Sequence, residues 1–229
     1  MIVLNAEDWM ALLLSLKLAF FSTIILLVIA IPLAWWLAFK PSKLKAPVAA
    51  LITLPLILPP SVIGFYLLIF MAPQDWLGKI LYQLGIQQLS FSFSGLLIAS
   101  LIYSLPFVVQ PIQNTFISIG KKPLELATCL GATPKDAFFN AFLPQAKIGI
   151  ISAAILGFAH TLGEFGIVLM IGGNIPNKTQ LASIQIYNHV EAMEYSAANQ
   201  LALILLIFSF ATLIILYWLN HKLNFWNKI

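Results

Sequence analysis

His160 and Glu164 are the first residues here whose types and spacing suggest chemistry. In a helix they stand one turn apart on a shared face, within the apolar run 148–171. A metalloprotease would need H-E-x-x-H, and HTLGE supplies no second histidine. At membrane depth such a pair either belongs to a pathway or gate, or fixes packing by hydrogen-bonding a neighbouring helix. Spacing alone leaves both readings standing.

Other chemistries drop out quickly. Cys129 is the only cysteine, so there is neither a disulfide framework nor a cysteine-based metal site. GGNIPNKT, 172–179, falls short of a phosphate-binding loop because Asn177 stands where glycine is required and no strand precedes it. ATP hydrolysis by this chain is therefore not expected, and neither cofactor nor metal is assigned to it. All twelve basic residues are lysines, so no bidentate guanidinium clamp for an oxyanion can be built from this chain. The net charge of +4 comes from loop lysines, and nucleic-acid binding is not inferred.

The elements that must position these residues are membrane helices. The chain is 61% hydrophobic and 9% charged, with a mean hydropathy of +0.96, outside the range of soluble domains. Apolar runs long enough to cross a bilayer lie at 10–38, 47–71, 95–117, 148–171 and 199–220. The segment 76–93 is more polar and broken by Gly85; it reads as interfacial, with a sixth span as the weaker alternative. Lys40, Lys43, Lys45, Lys121, Lys122, Lys135 and Lys147 fall in loops on one side, which the positive-inside rule makes cytoplasmic. Five spans then place the N-terminus outside and the C-terminus inside. The N-terminal run lacks a basic leader and is followed by lysines, so it reads as a retained anchor.

Polar features inside the spans mark those facing protein or water. Pro55, Pro59 and Pro60 interrupt span two, and irregular backbone at this depth is tolerated where protein or a water-filled cavity buries it; Ser61 beside them is a candidate for the pathway. Gln110, Gln113 and Asn114 give span three a polar aspect that serves either interhelical hydrogen bonds or a water-filled passage. Lys17, near the outer end of span one, can snorkel to the interface.

The loop after span three is punctuated more sharply than a simple connection needs. Pro123 and Glu125 suit the first turn of a helix, and Gly131 suits its left-handed end. Thr133, Pro134 and Asp136 then start a second helix, expected to carry Ala137, Phe138, Ala141 and Phe142 to a break at Pro144. The small residues Ala127, Gly131 and Ala132 would let another surface approach, and the phenylalanines would anchor it. A helix lying on the membrane surface is the alternative.

At these residues the chain resembles the permease subunits of ATP-binding-cassette importers, whose loop reads E-A-A, three residues, G, nine residues, I-x-L-P. Glu125, Ala127, Gly131, Leu143 and Pro144 match, while Leu126 and Ala141 depart from the pattern. The segments 54–68 and 162–180 are similar to those of molybdate permease subunits. The resemblance implies an all-α type I importer fold in a bacterial inner membrane, one transmembrane permease domain over 1–229 and a coupling loop at about 119–147. It also implies partners: a second copy of the chain, two cytoplasmic ATPase subunits that bind ATP and Mg, and a periplasmic oxyanion-binding protein, all in membrane lipid. Molybdate or tungstate is the expected cargo, with sulfate or thiosulfate the alternative and a secondary transporter the rival class.

Overall fold

The computed structural model describes residues 4–72 and 89–226, with side chains to residue 218. Among them no strand occurs. Helix α1 is Ala6–Phe39, opened by a reciprocal capping box between Asn5 and Asp8 that satisfies two otherwise unpaired N–H groups. It is followed by α2 (Lys45–Ile57), α3 (Pro60–Phe70), α4 (Phe93–Ile119) and α5 (Lys122–Cys129). A further helical run starts with α6 (Pro134–Asp136), widens into a π-turn at Ala137–Phe142 and continues as α7 (Leu143–Leu162). Then come α8 (Gly166–Gly172), α9 (Ala182–Glu191) and α10 (Tyr195–Trp226).

Four of these runs are long and apolar enough to cross a membrane, and the bent pair α2–α3 makes up to five. Span two is interrupted at Pro59 and Pro60, as its prolines suggest, and bends by 114°. The cause is local, since a residue preceding proline is driven to extended backbone, and Leu58 and Pro59 have ψ of 140° and 138°. Span four is corrected at both ends, running from Pro134 to Leu162 and breaking at Gly163–Phe165. The expected stop at Pro144 does not occur. The π-turn just before it closes with Leu143 N–H donating to Phe138 O, and this wider turn carries the helix past the missing proline donor. Of the segment 76–93, residues 76–88 lie outside the described residues.

Two apolar clusters stack along the bundle. One gathers the ends of α1 and α4 with the π-turn, through Leu37, Phe116 and Phe142. The other joins Leu18, Leu96 and Ile167 from α1, α4 and α8. Because α2 packs on the first and α3 on the second, the bent pair still passes from one end of the bundle to the other.

Candidate functional site

The loop at 121–144 is built as the sequence suggests up to its second helix. Gly131, at φ +88°, lets the chain turn left-handed. Its N–H reaches Thr128 O and that of Ala132 reaches Ala127 O, both at 3.0 Å, the paired bonds of a Schellman end. Asp136 N–H donates to Thr133 Oγ1 at 3.3 Å, and the hydroxyl returns a bond to the Asp136 carboxylate at 2.6 Å. Glu125, Pro134 and Pro144 are exposed, while Ala127, Ala132 and Leu143 are half-buried.

The expected apolar anchors are corrected. Phe142 is fully buried and Phe138 is half-buried, with Trp35 of α1 packed edge-on to both at 5.0 and 4.9 Å. The π-turn rotates these two rings inward, so they tie the loop to the bundle. The outward apolar groups are instead Leu126, Leu130 and Phe139, at 66%, 89% and 61% exposure. Leu126 and Leu130 share a helical face, a signal that could have been read from spacing.

In the bundle interior, His160 and Glu164 do not form the pair their spacing suggests. The helix ends between them, and each side chain binds α4 separately. Ser100 donates to Glu164 Oε2 at 3.1 Å, and Ser104 Oγ lies 2.9 Å from His160 Nδ1 and 3.0 Å from Thr161 Oγ1. Glu164 is 4% exposed and its Oε1 has no hydrogen-bond partner among the described residues, while Ser183 of α9 donates to its backbone carbonyl at 2.6 Å. The break is thus pinned by α4 and α9. His160 stacks on Phe107 at 3.7 Å and lies 5.2 Å from Tyr103.

Tyr103, Phe107, Gln110 and Asn114 recur at helical spacing on one face of α4. The first three are half-buried and Asn114 is exposed, so this face is only partly covered by its own chain. Gln110 reaches Thr53 of α2 at 3.4 Å. Ser61 is exposed just past the α2–α3 bend. The bend itself meets the α7–α8 break: a Cβ on Gly166 would stand 2.9 Å from Pro60 Cβ, and one on Gly64 would stand 2.9 Å from Met170 Cβ. Two interrupted helices therefore pack break against break, which only glycine allows at such separations. Ser100, Ser104 and Thr161 went unnoticed in the sequence because isolated hydroxyls in apolar helices carry no pattern.

At the opposite end from the loop, His189 of α9 is buried between Asp8 of α1 and Glu194, 2.8 Å from a carboxylate oxygen on each side. Gln185 also donates to Asp8 at 3.1 Å. Burial disfavours the imidazolium, but the hydrogen bonds to Asp8 and Glu194 outweigh it and raise the His189 pKa above its usual value. Lys17, given no function from sequence, lies over the Phe93 ring at 5.0 Å.

Residues 30–225 match the family model described as "Binding-protein-dependent transport system inner membrane component". The chain is 54% identical over 214 residues to the molybdenum transport system permease protein ModB of Azotobacter vinelandii, covering 93% of this chain and 95% of that one. It is 35% identical to the Haemophilus influenzae protein of the same name, over 92% and 93% of the two chains. Its identity to the probable sulfate transport system permease protein cysT of Zygnema circumcarinatum is also 35%, over 83% of this chain and 66% of that one. Among solved structures, the inward-facing MetNI methionine ABC transporter aligns with TM-score 0.65 at 18% identity, covering 93% and 94% of the two chains. A bacterial ABC transporter that imports alginate aligns with TM-score 0.69 at 17% identity, over 95% and 79%. The fold is that of type I ABC permeases, and the chain belongs to the family of binding-protein-dependent transport system inner membrane components, multi-pass membrane permeases.

Proposed function

We propose that this chain is the permease subunit of an ATP-driven importer for molybdate, working as a homodimer. A separate ATPase, which binds ATP and Mg, docks on the loop at 121–144, and an external binding protein delivers the cargo. The observation that carries the coupling role is the two-sided construction of the loop: Leu126 and Leu130 face outward while Phe138 and Phe142 are locked against Trp35. A push on the outer face would pass into α1 and α7 as a rigid-body motion, the basis of alternating access. The cargo reading rests on the 54%-identical molybdenum permease; sulfate is the second reading, because the sulfate permease relative is 35% identical over less of its own length.

The lysines at 40–45 and 121–147 favour a cytoplasmic position for the loop and an external N-terminus. The whole chain then forms one transmembrane domain. The α4 face bearing Gln110 and Asn114, with Ser61 at the α2–α3 bend and His160 beside it, would line the passage between the two copies. Glu164 would hold the α7–α8 break in place. Without arginine, tight oxyanion selection falls to the binding protein. A cysteine at Leu130 in a Cys129→Ser chain is expected to crosslink to the ATPase and stop ATP-driven molybdate uptake. Absence of that crosslink in an actively transporting complex would remove the docking assignment.

A further inference from the structure

A groove of about 490 Å³ opens between the end of α1 and the start of the α6–α7 run. Ile31, Pro32 and Trp35 of α1 line it on one side, and Pro134, Lys135, Phe138 and Phe139 on the other. Pro32 lies eight residues before Lys40, so at about 1.5 Å per residue the α1 wall reaches roughly 12 Å into the apolar region. A water-soluble ATPase cannot reach this depth. The α1 side of the groove therefore faces hydrocarbon.

Charge identifies the occupant. Seven lysines flank this end of the bundle, against Glu125 and Asp136 alone in the same segments. Asp136 is bonded to Thr133 Oγ1, and Lys135 makes no ion pair among the described residues. A second copy of the chain would bring another lysine-flanked surface, with like charges opposed.

We propose that this groove is a binding site for an anionic phospholipid, with an acyl chain against Ile31, Trp35 and Phe139 and the headgroup phosphate at Lys135. The proposal rests on the membrane orientation given above, but not on the identity of the cargo. A lipid seated there braces α1 against the segment that leads from the loop into α7. Lipid composition thereby becomes a determinant of coupling.

Native mass spectrometry of the purified complete transporter, with added phosphatidylglycerol or phosphatidylcholine, tests it without measuring transport. The wild type should retain phosphatidylglycerol about fivefold better, the scale of one lysine near an anionic headgroup. Lys135→Gln should erase that preference, and Ile31→Trp, which fills the groove, should lower retention of both lipids. Ile214→Trp, on the exposed face of α10, should change nothing. Undiminished phosphatidylglycerol retention in Ile31→Trp would overturn the proposal. So would efficient disulfide formation between two copies through a cysteine at Ile31 in a Cys129→Ser chain, since the groove would then be covered by protein.

Discussion

His189 Nε2 lies 2.8 Å from Asp8 Oδ1, joining residues 181 positions apart in the sequence. The other ring nitrogen is 2.8 Å from Glu194 Oε2. An ionised carboxylate only accepts hydrogen bonds, so both contacts are satisfied together when the imidazolium donates from each nitrogen. In that state His189 ties the start of α1 to the end of α9 and to Glu194, just before α10.

A group whose pKa is raised on folding stabilises the fold fully below its unfolded pKa, about 6.5 for histidine. That contribution is lost as pH rises through the higher folded pKa of His189. Thermal unfolding of the transporter in detergent should therefore fall between slightly acidic and alkaline pH. His189→Gln, which cannot titrate, should flatten that slope; an unchanged slope would dissociate the histidine from it.

Gly131 tests the loop. No atom of the described residues would touch a Cβ there, so a substitution meets backbone strain at φ +88°, about 1–2 kcal/mol for most residues. Asparagine tolerates this conformation and should preserve the loop, whereas leucine should both strain it and obstruct a docked surface. Co-purification of the ATPase should survive Gly131→Asn and fail in Gly131→Leu. Equal recovery with both would contradict a close approach at this residue.

Glu164→Gln retains an acceptor for the Ser100 hydroxyl and should keep assembly and uptake close to normal. Glu164→Leu strands Ser100 in the interior, at a cost of about 1–3 kcal/mol, and should lower the melting temperature. Loss of uptake in the glutamine variant, with assembly intact, would instead assign the carboxylate a role in gating.

Phe142→Ala removes a fully buried ring from the cluster with Trp35, Phe39 and Phe116. The expected loss is about 3–5 kcal/mol of stability. If the cluster transmits motion, ATPase activity in the surviving complex should become less dependent on loaded binding protein. Full coupling at reduced stability would make it structural only.

The long apolar runs and the loop caps were legible because each rests on a local rule: span length, proline at a helix start, glycine at its end. Placements that depend on where a helix breaks were not. His160 and Glu164 look like a pair only if residues 160–164 stay helical, and the break at Gly163 separates them. Phe138 reads as an outward anchor until the π-turn rotates it inward. His189, Asp8 and Ser100 acquire their partners through contacts more than sixty residues away, which no local pattern announces.

The central claim is that this chain converts a partner's ATP cycle into oxyanion movement. The most direct measurement is molybdate uptake by vesicles holding the permease, its ATPase and its binding protein, with and without ATP and with sulfate as competitor. The account predicts uptake that requires ATP and persists in excess sulfate; uptake of equal rate without ATP would contradict it.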